Sequence, residues 1–186
     1  MRRMKAFSAK AMVCLTFLIP CAQTQATELT GRAVSVHDGD TITVLDADKR
    51  QHKVRLAGVD APELKQAFGT RSRQNLAGLV RGQDVRVEWE KTDRNGRTVG
   101  KVLFMPSSCL TPACLEPADA NYEQIATGMA WYYRQYAREL KPEDCTKYDA
   151  AENRARGEKL GLSADVKPVA PGEWRRVGKS SVANPR

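Results

Sequence analysis

Four acidic side chains fall in two short motifs, and their types and spacing could hold a cation. They are Asp38 and Asp40 in the sequence DGDT, and Asp60 and Glu63 in the sequence VDAPE. Four carboxylates in one pocket repel one another unless a cation neutralises them, and an all-oxygen ligand set favours a hard cation such as calcium. An EF-hand loop is excluded, because Ile42 and Thr43 occupy the positions where it needs an oxygen ligand and a glycine.

Each motif taken alone also has a purely structural interpretation. Asp-Gly is common in hairpin turns, and VDAPE is typical of a strand end followed by a helix start. Taken together the motifs indicate more, because the ends of neighbouring strands in a meander lie side by side. Arg55 precedes VDAPE on the same predicted strand, and Arg97 follows a predicted turn. Two such arginines could balance the charge on the oxygens of a reacting phosphoryl group.

The elements that must position these residues are short strands and a few helices. Runs rich in Val, Ile and Thr, separated by turn signals, predict strands at residues 31–36, 41–45, 52–59, 85–90 and 98–105. Helical spacing and capping signals predict helices at residues 69–80, at 119–127, and from 142 to either 156 or 159. Five strands with a helix inserted after the third predict an α+β fold built on a small closed β-barrel.

Four motifs, in this order along the chain, resemble the staphylococcal nuclease, or thermonuclease, family. They are residues 36–41 (VHDGDT), 55–63 (RLAGVDAPE), 92–97 (TDRNGR) and 126–131 (ATGMAW). The resemblance covers roughly residues 29–162 and implies a five-stranded OB-fold barrel with three helices. It also implies a calcium-dependent phosphodiesterase that acts on DNA and RNA and leaves 3′-phosphate ends.

The resemblance further implies a calcium site. Asp40 and Asp60 would be direct ligands, together with the backbone carbonyl of Ala61. Asp38 would lie close by as a charge partner. A backbone carbonyl is available whatever the side chain, so the alanine at position 61 leaves this ligand set intact.

The same resemblance implies roles in catalysis and substrate binding. Glu63 would position or deprotonate the attacking water. Arg55 and Arg97 would clamp the phosphate and stabilise the transition state, while Tyr133 and Arg94 would contact the substrate. The alternative interpretation is an OB-fold module that binds nucleic acid without cleaving it.

The first 26 residues have the pattern of a cleaved signal peptide. A basic start is followed by an apolar run over 11–19 and by small residues up to Ala26, which places the mature start at Thr27. Nine apolar residues are too few to span a bilayer, so no transmembrane anchor is expected in the mature form. Lipid attachment at Cys21 is the less favoured alternative, because Pro20 precedes it. The leader pattern therefore predicts export of the protein to a periplasm or out of the cell.

The net charge of the mature protein is smaller than that of the full chain, because the leader is basic. The chain of 186 residues has a net charge of +8, which favours polyanionic partners such as nucleic acid. Four of these charges lie in the leader, so the mature protein has a net charge of +4.

One domain is predicted over 27–165, followed by a Pro-rich, basic and partly disordered tail over 166–186. We expect a monomer with no stable protein partner.

Three cysteines remain in the mature chain, at Cys109, Cys114 and Cys145. In an oxidising compartment two of them are expected to pair, and the sequence leaves the pairing open. A zinc site is disfavoured, because His37 and His52 lie far upstream without ligand spacing.

Overall fold

A computed structural model of the protein describes residues 27–106 and 116–182. The predicted signal peptide lies outside the described residues, and so do Cys109 and Cys114. Cys145 donates its thiol to the carbonyl of Ala137 (3.2 Å) and forms no disulfide with any residue in the described ranges. The predicted disulfide therefore stays a prediction.

The centre of the fold is a closed β-barrel of five strands. These are β1 (Thr27–Val36), β2 (Thr41–Leu45), β3 (Gln51–Leu56), β5 (Asp84–Thr92) and β6 (Thr98–Phe104). The short strand β7 (Ala118–Asp119) extends the sheet of the barrel, and β4 (Val59–Asp60) and β8 (Trp131–Tyr132) pair in a separate two-stranded sheet. The large sheet runs β3-β2-β1-β5-β6-β7, and a parallel β3–β6 pairing closes it. The predicted OB-fold barrel is confirmed.

The strands form because apolar and polar residues alternate along them, so that one face is buried inside the barrel. In β5, for example, Val85 and Val87 are buried while Asp84 and Arg86 are exposed. Ile42 and Leu56, from β2 and β3, are at most 1% exposed in the same core. Each fully buried aliphatic side chain of this kind contributes about 1.5–3 kcal/mol to folding.

Three helices lie where the sequence predicts them, namely α1 (Gly69–Val80), α2 (Ala120–Ala126) and α3 (Pro142–Gly157). The carboxylate of Asp119 caps α2 by accepting from the backbone N–H of Tyr122 (3.1 Å), and it also accepts from the hydroxyl of Tyr148 (2.9 Å). This contact ties α2 to α3. Within the described ranges, no helix combines the length and the apolar character needed to cross a bilayer.

The C-terminal tail predicted over 166–186 contains an element that the sequence analysis did not predict. A fourth helix, α4 (Pro171–Val182), forms there. Pro171 takes its first position, where the missing N–H costs nothing, and Glu173 places a negative charge near the positive end of the helix dipole. The segment before α4 is fixed to the domain, because the side chain of Gln66 donates to the carbonyl of Val169 (2.6 Å).

Candidate active site

The predicted site residues converge on one pocket of about 620 Å³. Eight of the nine line it: Asp38, Asp40, Arg55, Ala61, Glu63, Arg94, Arg97 and Tyr133. The ninth, Asp60, lies against it, with a carboxylate oxygen 3.6 Å from the guanidinium of Arg55. The neighbouring strand ends therefore bring the acidic motifs together.

Strand pairing sets the position of Asp40 next to Arg55. Thr41 of β2 pairs with Arg55 of β3, and the N–H of Leu56 donates to the carbonyl of Asp40 (2.8 Å). Gly39 is needed because the chain passes close to α1 at this point. A Cβ there would lie 1.8 Å from the Ser72 hydroxyl oxygen and 2.7 Å from the Cβ of Ala61. The glycine of the DGDT motif thus allows close packing beside the pocket.

Asp40 is a buried carboxylate with several partners. One oxygen accepts from the Thr41 hydroxyl (2.8 Å), and the other lies 2.9 Å from Arg55 and accepts from the N–H of Ala61 (3.3 Å). Burial raises the pKa of Asp40 to about 6, since the attraction of Arg55 only partly offsets it, and the charge of Asp38 raises it further. The ionised carboxylate therefore lacks full compensation from the protein.

Asp60 is the second buried carboxylate of the site. It lies on β4, which pairs with β8 so that Asp60 faces Trp131 across the ladder. Burial raises the pKa of Asp60, although the guanidinium groups of Arg175 and Arg55 lower it. Arg55 lies between both aspartates, and it is fixed by a hydrogen bond to the carbonyl of Val59 (3.1 Å).

Arg97 is oriented by Asp93, a residue that sequence reasoning treated only as part of a turn. Its Nε and Nη2 atoms lie 2.8 and 2.7 Å from one Asp93 oxygen, and the other oxygen accepts from the N–H groups of Asn95 and Arg97. Burial acts in the opposite direction, but these hydrogen bonds hold the pKa of Asp93 below its usual value. Nη1 of Arg97 approaches the Thr41 hydroxyl at 3.5 Å.

Glu63 lies on a tight turn at the rim of the pocket, with a side chain 42% exposed. Its N–H donates to the side chain of Gln66 (3.2 Å), and its carbonyl accepts from the N–H of Gln66 (2.8 Å). Its carboxylate accepts from Nη1 of Arg175 on α4 (2.8 Å). Sequence reasoning missed Arg175, although Pro171 and Glu173 provided a signal for the helix that carries it.

An aromatic wall borders the same pocket, with Tyr133 and Tyr136 at a ring-centroid distance of 5.0 Å. The ammonium of Lys91 lies 5.5 Å from the centre of the Tyr136 ring. The Tyr133 hydroxyl donates to the side chain of Gln135 (2.8 Å). Burial, followed by the charge of Asp60, raises the pKa of Tyr133 above its usual value. Tyr136 is a second site residue that was not predicted.

The donor set suits a hard cation that shares its coordination with other ligands. Asp40 and Asp60 offer carboxylate oxygens, and the protein compensates the charge of their ionised forms only in part. Ala61, the predicted carbonyl ligand, lines the same pocket and donates its N–H to Asp40. No group of three or more acidic, histidine or cysteine side chains in residues 27–106 and 116–182 could hold a metal by itself. Calcium takes six to eight oxygens, so water and a substrate phosphate would complete its coordination.

Comparison with known proteins identifies relatives along almost the whole chain. A family described as "Staphylococcal nuclease homologue" matches residues 53–165. Protein ParB of Escherichia coli is 40% identical over 176 residues, covering 95% of each chain. Micrococcal nuclease of Shigella flexneri is 41% identical over 151 residues, which is 81% of this chain and 83% of the relative. An uncharacterized endonuclease of Haemophilus influenzae is 34% identical over 172 residues, or 92% and 85%.

The family match and the fold agree with the geometry of the pocket. The matched segment contains Arg55, Asp60, Glu63 and Arg97, and Asp40 joins them from just before it. The fold and the nuclease-type hydrolase class expected from the sequence are confirmed. The chain therefore belongs to the staphylococcal nuclease family.

Proposed function

We propose that this protein is an exported, calcium-dependent phosphodiesterase that cleaves both DNA and RNA with little sugar specificity and leaves 3′-phosphate ends. The observation that carries the proposal is one pocket that combines two buried aspartates, a rim glutamate and two arginines. The family relationship supports the reaction class. The cation, the range of substrates and the ends produced are our inference.

The cation would be held by Asp40, Asp60 and the carbonyl of Ala61. Burial raises the pKa of both carboxyl groups, which means that the protein stabilises their ionised forms incompletely. A divalent cation bound between them would supply the missing positive charge. When bound, calcium supplies a Lewis acid that polarises a phosphoryl oxygen and offsets the negative charge of the phosphate.

Two arginines act on the phosphate, and one glutamate acts on the water. Arg55 is fixed by Asp40 and Val59, and Arg97 by Asp93, so both guanidinium groups are oriented before the substrate arrives. Donors fixed in this way stabilise the charge that builds on the phosphoryl oxygens in the transition state. Glu63 takes a proton from water as the water oxygen bonds to phosphorus. The bond between phosphorus and the 5′ oxygen breaks, and the leaving 5′ oxygen takes a proton from solvent.

Tolerance of different nucleic acids follows from the aromatic and basic wall. Tyr133 and Tyr136 offer ring faces on which any base can stack, and stacking of this kind depends little on sequence. Arg94 and Lys91 line the same pocket and would contact the phosphate backbone. These side chains would contact base faces and phosphates, which DNA and RNA strands of any sequence share.

The test is cleavage by the purified mature protein of supercoiled DNA, linear DNA and RNA, each with calcium, magnesium or a chelator. We expect degradation of all three substrates with calcium and none with chelator, and mapping of the products should give 3′-phosphate ends. Degradation no faster with calcium than with chelator would refute the proposed cation dependence. Binding without cleavage under every condition would favour the non-catalytic alternative.

Export rests on the leader pattern of residues 1–26. We propose cleavage before Thr27 and release of a monomer with no stable protein partner. Intact mass of the protein from the producing cells tests this, since a start at Thr27 excludes a lipid on Cys21. A mass that retains residues 1–26, or that carries a diacylglycerol on Cys21, would contradict the proposal.

A further inference from the structure

The segment that leads into α4 is built into the wall of the pocket through one buried side chain. The exposed fraction of Gln66 is only 7%. Its carbonyl oxygen accepts from the N–H of Glu63 (3.2 Å), and its amide donates to the carbonyl of Val169 (2.6 Å). One residue thus connects the turn that carries Glu63 to the C-terminal segment, and this connection fixes the start of α4.

Helix α4 places the guanidinium of Arg175 on two acidic residues of the site at once. Nη1 lies 2.8 Å from a Glu63 oxygen, and Nη2 lies 3.1 and 3.3 Å from the two oxygens of Asp60. The Arg175 side chain is 37% exposed and that of Asp60 only 5%. The carboxylate of Asp60 is therefore shielded from water, which strengthens its electrostatic interactions, while the guanidinium of Arg175 remains partly exposed and its charge partly screened.

Calcium and Arg175 need the same carboxylate. Nη2 of Arg175 contacts both oxygens of Asp60, whereas calcium would approach those oxygens to about 2.3–2.6 Å. The two cations would then lie a few ångströms apart in a partly buried site, where like charges repel strongly. Calcium can therefore occupy the site only when the guanidinium of Arg175 moves away from the Asp60 carboxylate.

We propose that Arg175 competes with calcium for Asp60 and so sets the calcium concentration at which the nuclease site fills. The inference rests on the proposed calcium dependence. Glu63 shares the same guanidinium, so that displacement of Arg175 by calcium also frees the carboxylate assigned to the attacking water. Metal loading and the availability of Glu63 are thereby coupled through a residue outside the family-matched segment 53–165.

The experiment is calorimetric titration of calcium chloride into the purified mature protein without nucleic acid. It compares the wild type with Arg175→Gln and with Lys167→Gln. Lys167 is exposed on the same C-terminal segment and lines a neighbouring pocket with Trp174 rather than the acidic one. Its variant removes the same charge and so controls for the change in net charge.

We expect Arg175→Gln to bind calcium at least about fivefold more tightly than the wild type, the lower end of typical couplings between sites. Lys167→Gln should stay within about twofold of the wild type. Arg175→Lys keeps the charge but loses the two-pronged contact, and its affinity should lie between those of the wild type and Arg175→Gln.

Equal or weaker binding by Arg175→Gln would overturn the competition and leave the calcium requirement of the nuclease intact. Absence of calcium binding by every variant, wild type included, would overturn the competition, whereas the calcium dependence of the nuclease is tested separately by cleavage with calcium and with chelator. The calcium affinity of Arg175→Lys provides a second, independent measure should the glutamine variant fail to fold. If Arg175→Lys then binds calcium with the same affinity as the wild type, the competition is overturned.

Discussion

Replacement of Asp40 by asparagine should stabilise the protein at pH 8 in chelator, although the residue belongs to the active site. Burial raises the pKa of Asp40 from 3.8 to about 6. That value already includes the attraction of Arg55 at 2.9 Å, so it measures the net cost of the ionised form. A shift of roughly two units corresponds to ~3 kcal/mol. Removal of the charge should recover a large part of this free energy.

The asparagine side chain can keep the partners of Asp40. Its carbonyl oxygen can accept from Arg55 and from the N–H of Ala61, in place of the carboxylate oxygen that accepts from them. Its NH₂ group would then face the Thr41 hydroxyl, which can rotate and accept a hydrogen bond. Arg55, Ala61 and Thr41 can each keep a hydrogen bond to residue 40, so the gain from removing the charge should appear in the free energy of unfolding.

The pH dependence gives the sign of the effect. At pH 8 Asp40 is ionised in both the folded and the unfolded protein, and the cost of burying the charge is fully expressed. As the pH falls through about 6, the folded wild type binds a proton and recovers this stability. Below roughly pH 4 the carboxyl is protonated in both states. The advantage of Asp40→Asn should therefore shrink from pH 8 to pH 4.

Urea unfolding followed by tryptophan fluorescence measures this at pH 8, 6 and 4 in chelator. Calcium at pH 8 serves as the internal control, because it should stabilise the wild type and have little effect on Asp40→Asn. A variant less stable than the wild type at pH 8 would refute the reasoning. A difference of the same size at pH 8 and pH 4 would do so as well.

Three further substitutions test the assembly of the site. Glu63→Gln should lower kcat by about 10²- to 10⁴-fold with little change in KM in plasmid cleavage, and unchanged turnover would assign the proton transfer to another group. Asp93→Asn should lower kcat/KM at least about tenfold by weakening the orientation of Arg97; an unaltered rate constant at unaltered thermal stability would contradict this. Gly39→Ala should cost about 1–3 kcal/mol in urea unfolding, because its Cβ would lie 1.8 Å from a serine oxygen of α1. Gly78→Ala, on an open face of α1, is the matched control and should be neutral or stabilising; equal losses from the two glycines would reject the steric argument.

The acidic centre of the site could be predicted because its parts lie on neighbouring strands. Strands β2 and β3 are joined by a short turn, so the sequence alone implies that the DGDT motif lies beside the strand that carries Arg55. The observed pairing of Thr41 with Arg55 confirms this. Asp60 follows β3 by a few residues, and the chain has little freedom to place it elsewhere.

The contact by which Asp93 orients Arg97 could not be predicted from the sequence. A sequence TDRNGR indicates a turn, and the turn is present, with the N–H of Gly96 donating to the carbonyl of Asp93. Whether the Asp93 carboxylate also holds the guanidinium of Arg97 depends on side-chain rotamers at the mouth of the pocket. Sequence pattern contains no information on that choice.

Arg175 shows a different limit of sequence reasoning. The start of α4 carries the same signals as the start of α3, a proline followed by an acidic residue in the first turn. These signals predict a helix but not where it packs. The contacts of Arg175 with Glu63 and Asp60 span 112 and 115 residues, and the buried amide of Gln66 holds the segment that leads into α4. Such long-range placement follows from tertiary packing alone.

Asp40 and Arg175 together show why stability and function oppose each other in this pocket. Asp40 carries a buried charge that the protein compensates incompletely, which lowers stability and attracts a cation. Arg175 supplies compensation from within the chain, and its charge lowers the pKa that burial raises at Asp60. In chelator at pH 8, Arg175→Gln should therefore reduce stability where Asp40→Asn increases it. Calcium should remove the defect of Arg175→Gln, because the ion then supplies the positive charge that the guanidinium had provided.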